Sequence, residues 1–380
     1  MEFKTYRFGE ITVNFDKKRI PLSGAQREKR RGTYRYYGAQ GVIDYIDDYI
    51  FDGTYLLIAE DGENLKSKKQ NIAQIATGQF WVNNHAHIVQ GNELCDTRFL
   101  CYLINSMDLS GYITGSAQPK LSQANLNAVD ITIPEITAQR KIVDYLYTLD
   151  QKIDTNNRIN DNLQQQAYAY FLQLFVENAN PSWRVGTITD LGTVVGGGTP
   201  SKAKPEYYTE DGIAWITPKD LSVDKSKFIA HGENDITELG YRNSSATMMP
   251  AGTVLFSSRA PIGYIAIASN EVTTNQGFKS VVPRPEIGTP FVYYFLIHNL
   301  PLIESKASGS TFKEVSGSVM KSVEAVIPDG DTIAKFNAFC RPVFEMQEKL
   351  EQENRKLAAM RDSLLPRLMS GEIDVSDISI

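Results

Sequence analysis

Apolar residues recur every seven positions along two long stretches of the chain. In the later stretch Phe336, Val343, Leu350, Leu357 and Leu364 keep this spacing, with Cys340, Gln347, Asn354 and Arg361 at the intervening core positions. In the earlier one Ile142, Leu149, Asn156, Leu163 and Tyr170 interleave with Leu146, Ile153, Asn160 and Ala167, in the same phase 194 positions upstream. A heptad seam of this kind predicts two long helices, over residues 137–175 and 332–369. At about 1.5 Å per residue each is a rod of roughly 58 Å. Most of each surface is polar, so each helix needs a partner. The shared phase predicts that the two pack on one another as a coiled coil, antiparallel if the halves are related by a pseudo-two-fold. Asn156, Asn160, Gln347 and Asn354 cost stability in such a seam but penalise slipped registers.

The repeat extends beyond the seams. GSAQPKLSQANLNAVDITIP (115–134) and GSTFKEVSGSVMKSVEAVIP (309–328) align at the same offset without a gap, so that Gly115, Ser116, Ser122, Val129, Ile133 and Pro134 meet Gly309, Ser310, Ser316, Val323, Ile327 and Pro328. YRFGEI from Tyr6 to Ile11 echoes WRVGTI from Trp183 to Ile188. Each half places a mixed α+β segment before its helix. Strand-like runs at 54–59, 81–89 and 253–257 are punctuated by Gly, Pro and Asn turns, and a short apolar helix starts near Phe99 in one half and Phe291 in the other. ENANPSW (177–183) reads as a linker. The expected division is a globular domain at 1–136, a helix at 137–179, a second domain at 180–331, and a helix with a tail at 332–380.

Length and composition permit this arrangement. A chain of 380 residues, 42% hydrophobic, can bury more than one core. It has no apolar run long enough for a membrane span, and its start resembles neither a signal nor a transit peptide. Cys95, Cys101 and Cys340 are too few and too scattered for a disulfide framework. The expectation is a soluble cytoplasmic protein in a reducing compartment, with no membrane partner.

The formal net charge of −6 argues mildly against nucleic acid. Its distribution argues the other way. Between Asp16 and Tyr37 lie Lys17, Lys18, Arg19, Arg27, Lys29, Arg30, Arg31 and Arg35 against only Asp16 and Glu28, interleaved with Tyr34, Tyr36 and Tyr37. This pattern is suited to phosphate contact, although a solvated loop would carry the same residues. Side chains of types that read base edges cluster elsewhere: Gln79, Asn83, Asn84 and His85 in the first domain, Ser257, Ser258, Arg259, Asn275, Gln276 and Lys279 in the second. Lys120 and Lys313 in the repeated motif, and Lys202 and Lys204 after Gly196-Gly197-Gly198, add cations in glycine- and serine-rich loops that can hold phosphate. A structural turn accounts for the motif loops almost as well.

Catalytic patterns are weaker. Asn180-Pro181-Ser182-Trp183 lacks the second proline of the tetrapeptide with which amino-methyltransferases grip a flipped base. The triple glycine continues into Thr199-Pro200, which makes neither a dinucleotide turn nor a Walker loop. Glu60, Asp61, Glu63 and Lys66 are too loosely spaced for a nuclease metal site, and His85, His87, Cys95 and Cys101 read better as core and surface residues than as a zinc set. A stand-alone DNA-modifying enzyme, either methyltransferase or nuclease, remains the alternative reading; a purely structural coiled-coil adaptor would lack the base-reading clusters.

Several stretches together resemble the DNA-specificity subunits of type I restriction-modification enzymes: residues 36–62, 188–202 (ITDLGTVVGGGTPSK), 255–267 (LFSSRAPIGYIAI), 274–283 (TNQGFKSVVP), and the ITAQRKIVDYLYTLDQKI run that opens the first helix. The resemblance spans essentially the whole chain. It implies two target-recognition domains, each reading one half of a split sequence in double-stranded DNA, and helices that act as spacer and docking surface for two methyltransferase subunits. By the same resemblance this chain has no cofactor and no metal. S-adenosylmethionine belongs to the methyltransferases, and ATP with Mg²⁺ to a further restriction/translocase subunit.

Overall fold

A computed structural model describes residues 1–115, 118–309 and 313–375. The chain forms two compact units, Met1–Ile153 joined by the chain from Lys356 onward, and Asp154–Arg355. The division falls inside both long helices, Ile136–Leu172 and Gly330–Met369.

The first unit is built on a six-stranded sheet in the order Thr12–Asn14, Ala86–Gly91, Phe51–Ala59, Ala73–Val82, Arg31–Gly38, Gly41–Ile46. Its central strand Phe51–Ala59 is buried on both faces from Leu56 onward. Leu56 and Ile58 face Phe99, Leu100, Leu103 and Ile104 of the helix Thr97–Ser106, and Leu57 turns to Tyr37, Phe51, Phe80 and Ile88. That period-two division is why the strand reads as a continuous apolar run. Asp96 caps the helix by accepting from the backbone N–H groups of Arg98 and Phe99. The predicted strand at 81–89 is two strands, because Asn83-Asn84-His85 forms a turn between them.

A separate antiparallel pair, Phe3–Arg7 with Asp130–Pro134, delivers the chain into the first long helix. Within this unit Ile142, Val143 and Leu146 share one core with Leu368 and Met369, against which Leu364 and Leu365 also pack. Asp150 accepts from Arg361 Nη1 at 2.8 Å and from the Tyr102 hydroxyl.

The second unit repeats the plan around a five-stranded sheet ordered Gly192–Gly196, Lys279–Pro283, Val254–Ser258, Ile262–Ala268, Phe228–Ile229. The apolar helix Thr289–His298 packs on it, and Phe171, Phe175, Phe291, Tyr294 and Phe336 form an aromatic core with contacts of 4.8–6.1 Å between ring centres. Between the helix segments of this unit the aromatic contacts of Tyr170 and Phe171 with Phe336 and Phe339 give way to polar ones nearer the division. Asn156 Nδ2 donates to Asn354 Oδ1 and to Glu353 Oε2, both at 2.9 Å, Asn354 Nδ2 donates to Asn157 Oδ1 at 2.8 Å, and Gln347 Nε2 donates to the Asn160 carbonyl at 3.1 Å. Partners in one helix fall as those in the other rise, so the segments are antiparallel in each unit.

Of the predicted seam, Ile142, Leu146, Phe336 and Leu350 are buried, while Leu149, Ile153, Asn160, Leu163, Val343, Asn354, Leu357 and Leu364 are half-buried. Phe336 packs into the domain core with Phe171 and Phe175 rather than into a helix-only seam. The first helix ends at Leu172 and passes into a π-helical turn, Gln173–Glu177, instead of running to Phe175. The entry strands also differ from the sequence echo. Phe8 N–H donates to the Val129 carbonyl and Ile188 N–H to the Val323 carbonyl, and Arg7 N–H meets Glu10 as Thr187 N–H meets Asp190. Ile188 therefore corresponds to Phe8 and not to Ile11, since backbone pairing and capping set the register. No helix among the described residues is long and apolar enough to cross a membrane.

Candidate nucleic-acid interface

In the first unit three loops converge at the ends of the central strands. Asn83 Oδ1 accepts from His85 N–H at 2.8 Å and Asn83 N–H donates to the Tyr37 carbonyl at 3.0 Å, which fixes the turn and leaves Asn84 exposed at its tip. Glu60 N–H donates to the His85 carbonyl, and Leu121 N–H to the Glu60 carbonyl. The third loop carries the repeated motif; Thr114 and Lys120 close it by exchanging both backbone bonds at 2.8 Å. Gly115, just inside, has φ +84°, where a Cβ would also meet the Gln118 carbonyl oxygen at 2.2 Å.

Beneath these loops lies a buried polar network. The His87 ring bridges Asp16 Oδ2 at 2.6 Å through Nδ1 and the Leu121 carbonyl at 2.8 Å through Nε2. Burial works against the Asp16 carboxylate, but hydrogen bonds from the His87 ring and the Ile88 N–H, with the charges of His87 and Arg19, hold its pKa below the ordinary value. Arg19 joins Asp16 at 3.5 Å and Glu60 at 2.8 Å, and Lys120 Nζ approaches Glu60 at 3.3 Å. The network pins the motif loop to the sheet.

The second unit has the same three loops. Asn275 Oδ1 accepts from Gly277 N–H at 2.8 Å and Asn275 N–H donates to the Ile216 carbonyl at 3.0 Å, with Gln276 exposed at the tip. Ser258 N–H donates to the Gly277 carbonyl, Val315 N–H to the Ser258 carbonyl, and Ser308 and Glu314 exchange backbone bonds as Thr114 and Lys120 do. Glu314 stands 3.5 Å from Lys279 Nζ and 3.6 Å from Arg259 Nη1. Beside this cluster opens a cleft of about 660 Å³ whose wall includes Lys202, Lys219, Arg259, Asn275 and Gln276, with Asp220 and Glu233 among them.

The basic stretch divides into two sets. Lys17, Lys18, Lys29 and Arg31 are exposed. Arg27 pairs with Asp44 at 2.9 Å and lies over the Tyr36 ring, Arg30 pairs with Asp47 at 2.8 Å over Trp81, and Arg35 donates to the Thr77 carbonyl beside Tyr37. Tyr36, Tyr37, Asp44 and Asp47 are thus partners of these arginines within the domain, while Tyr34 packs on Tyr49.

One predicted phosphate contact and several predicted base readers are corrected by their surroundings. Arg19 is held in the network beneath the loops. Ser257 is fully buried, its hydroxyl donating to the Pro261 carbonyl and accepting from Tyr264 N–H. Asn83 is buried as the lock of its turn. Lys279, mostly covered, braces Ser258, the Gln276 carbonyl and Glu314.

Other predicted residues keep exposed positions. Gln79 donates to Asp52, His85 stands 2.8 Å from Asp61, and Lys204 donates to the Tyr207 hydroxyl at 3.0 Å. Lys202 and Lys313 are exposed. Ser116 and Ser310 of the repeated motif lie outside the described residues. Lys219 and Asn234 on the cleft wall were not anticipated; the Thr217-Pro218-Lys219-Asp220 run, a capping box in the structure, was the available signal for a helix start there.

The sets weighed as metal sites are not brought together. Glu60 faces Arg19 and Lys120, Asp61 faces His85, and His87 lies in the buried network away from any cysteine contact. Among the described residues no group of three or more His, Cys, Asp or Glu is placed to hold a metal ion.

Comparison with known proteins adds a family. A family model described as type I restriction modification DNA specificity domain matches residues 1–165 and 180–336. The MjaIX specificity subunit of Methanocaldococcus jannaschii is 38% identical over 177 residues, 46% of this chain and 41% of that protein, so this match spans less than half of the relative. The HindI specificity subunit of Haemophilus influenzae is 24% identical across 88% of this chain and 87% of its own. A crystal structure of a type I restriction-modification S subunit from M. genitalium superposes with a TM-score of 0.63 at 14% identity, over 97% of this chain and 96% of that one, and shares its fold.

Proposed function

The chain belongs to the type I restriction-modification DNA specificity family, and from that premise we propose that it reads a two-part target in double-stranded DNA, one half-site per globular domain. Its long helices dock two methyltransferase subunits, and through them the restriction/translocase subunits. Those partners hold S-adenosylmethionine, ATP and Mg²⁺ and perform the chemistry; this chain supplies the address and is not itself a catalyst.

The observation that carries this reading is the duplicated loop cluster. Each unit presents, on a scaffold locked by the same backbone bonds, exposed carboxamides and cations of the types that read base edges and hold phosphates. Phosphate contacts from residues such as Lys29, Arg31 and Lys202 supply sequence-independent affinity, and the turn tips supply preference. Two readers related by an internal repeat suit a target whose halves lie apart on one duplex.

The test is the methylation pattern of DNA from a host that carries this chain with its methyltransferase. The expected result is one split motif modified in both halves, and no methyl transfer by a mass-verified preparation of this chain alone. Methylation by the partner-free chain would overturn the proposal.

A further inference from the structure

The two loop clusters correspond bond for bond, and the correspondence singles out one pair of side chains. A parallel strand pair leads into each turn, Tyr36 beside Trp81 in one unit and Trp215 beside Thr273 in the other. The turn then opens on an asparagine whose side chain accepts from the N–H two residues on, Asn83 to His85 and Asn275 to Gly277. Its third residue accepts from the end of a central strand, His85 from Glu60 and Gly277 from Ser258. That strand end in turn receives the motif loop, Glu60 from Leu121 and Ser258 from Val315. By these bonds Asn84 and Gln276 occupy the same position in two copies of one structure.

Around that position the chemistry has diverged. Asp61 corresponds to Arg259, and Lys120, paired with Glu60, corresponds to Glu314, paired with Lys279 and Arg259. The neighbouring charges are reversed while the tip remains a carboxamide. The hydrogen bonds that lock the two turns do not require a carboxamide at the tip. The Asn84 carboxamide has no hydrogen-bond partner among the described residues, and the asparagine that locks each turn is the preceding one.

Building on the DNA-reading role proposed above, we infer that Asn84 and Gln276 are the corresponding specificity-determining residues of the two half-sites, each reading an adenine through its carboxamide in the major groove. A carboxamide presents one acceptor and two donors, which match the N6 amino group and N7 of adenine in a bidentate pair. In the second unit the Thr199 hydroxyl donates to Gln276 Oε1, which holds the carboxamide against the loop that follows the triple glycine. The second lone pair of that oxygen stays available to an adenine amino group. Thr199 is thus a positioning residue for Gln276, and the reversed charges beside the two tips set which flanking bases each tolerates.

The experiment selects from a randomised DNA pool with the chain assembled with its methyltransferase subunits, and compares wild type, Asn84→Ala and Gln276→Ala. Both substitutions lie at exposed turn tips and remove no contact that locks the turn. Wild type should enrich a split motif with an adenine in each half. Asn84→Ala should lose preference at that one base pair, by about ten- to a hundredfold, with the other half unchanged, and Gln276→Ala should do the converse. Unchanged preference in both variants would overturn the inference. So would uniform weakening across all sequences, or relaxation of the same half-site by both substitutions. If wild type enriches no split motif, the DNA-reading role itself fails and the inference with it.

Discussion

Lys227 holds its ammonium nitrogen 3.8 Å from the centre of the Phe344 ring. Tyr293 and Tyr294 lie at 4.5 and 5.2 Å, Gln347 Oε1 accepts from it at 2.8 Å, and it is only 7% exposed. Burial pushes its pKa down to about 7. Between that value and the ordinary 10.5 of a lysine the unfolded chain binds the extra proton, so stability should rise with pH across this window, by at most about 1.4 kcal/mol per unit. Burial raises the pKa of Glu351, whose stabilising effect falls as pH rises through its own value, so the lysine is isolated by comparison with Lys227→Met. Denaturant unfolding at pH 7, 8 and 9 should show the slope in the wild type and lose it in the variant, with the variant more stable at pH 7. Equal slopes would place the charge outside the aromatic box.

The buried ring of His87 gives a second prediction. Asp16→Ala leaves His87 and Arg19 without their shared carboxylate, and should destabilise the protein by about 3–5 kcal/mol in denaturant unfolding. In the wild type the Asp16 contribution is present above the ordinary carboxylate pKa and is lost as pH falls through its lowered value. An Asp16→Ala protein should therefore have a flatter acid limb. A loss below about 1 kcal/mol would mean that the motif loop is held by its backbone bonds alone.

The basic stretch should behave as two populations. Lys29→Glu and Arg31→Glu, at exposed positions, should weaken DNA binding across all sequences and reduce the salt slope by about one unit per lost phosphate contact. Arg30→Glu instead breaks the pair with Asp47 and the stack on Trp81, so its main effect should be on unfolding. Binding titrations at several salt concentrations, run beside thermal unfolding, separate the two. An unchanged slope in both exposed variants would turn that surface away from DNA.

The long helices and their common phase follow from a repeat of seven, and the polar seam residues Asn156, Asn160, Gln347 and Asn354 meet one another as their positions imply. The helices near Phe99 and Phe291 were legible as short apolar runs, without any repeat of seven. The entry register was not, because the echo of YRFGEI in WRVGTI is outweighed by the bonds of Phe8 and Ile188 to the motif strands. Nor was the division of the arginines, since their partners Asp44, Asp47 and Trp81 come from later in the chain. Residue type brought Asn83, Asn84, Asn275 and Gln276 forward together. Only the hydrogen bonds separate the asparagine that locks each turn from the exposed tip beside it.

The paired helices make the last prediction. Their segments meet through named polar contacts in each unit, and both helices run uninterrupted across the division between Ile153 and Asp154 and between Arg355 and Lys356. An insertion nearer Gln173 would dislodge Phe171 and Phe175 from the aromatic core, so the helices are best lengthened at the division. Four residues added to both lengthen the pair by about 6 Å and turn it by about 40°. One to two base pairs of B-DNA rise by a similar distance, at about 3.4 Å each, and turn by roughly 35° each, so on the spacer role proposed above the second reader moves nearly in step with the groove. The lengthened chain, assembled with its methyltransferase, should modify the same two half-sites with the gap between them longer by one or two base pairs. Seven added residues keep the helix face but advance it about 10 Å, close to three base pairs, over which the groove turns by about 100°. That variant should bind much more weakly at any gap. Methylome sequencing of hosts carrying each variant reads both outcomes. An active four-residue variant with an unchanged gap would show that spacing is set elsewhere in the chain.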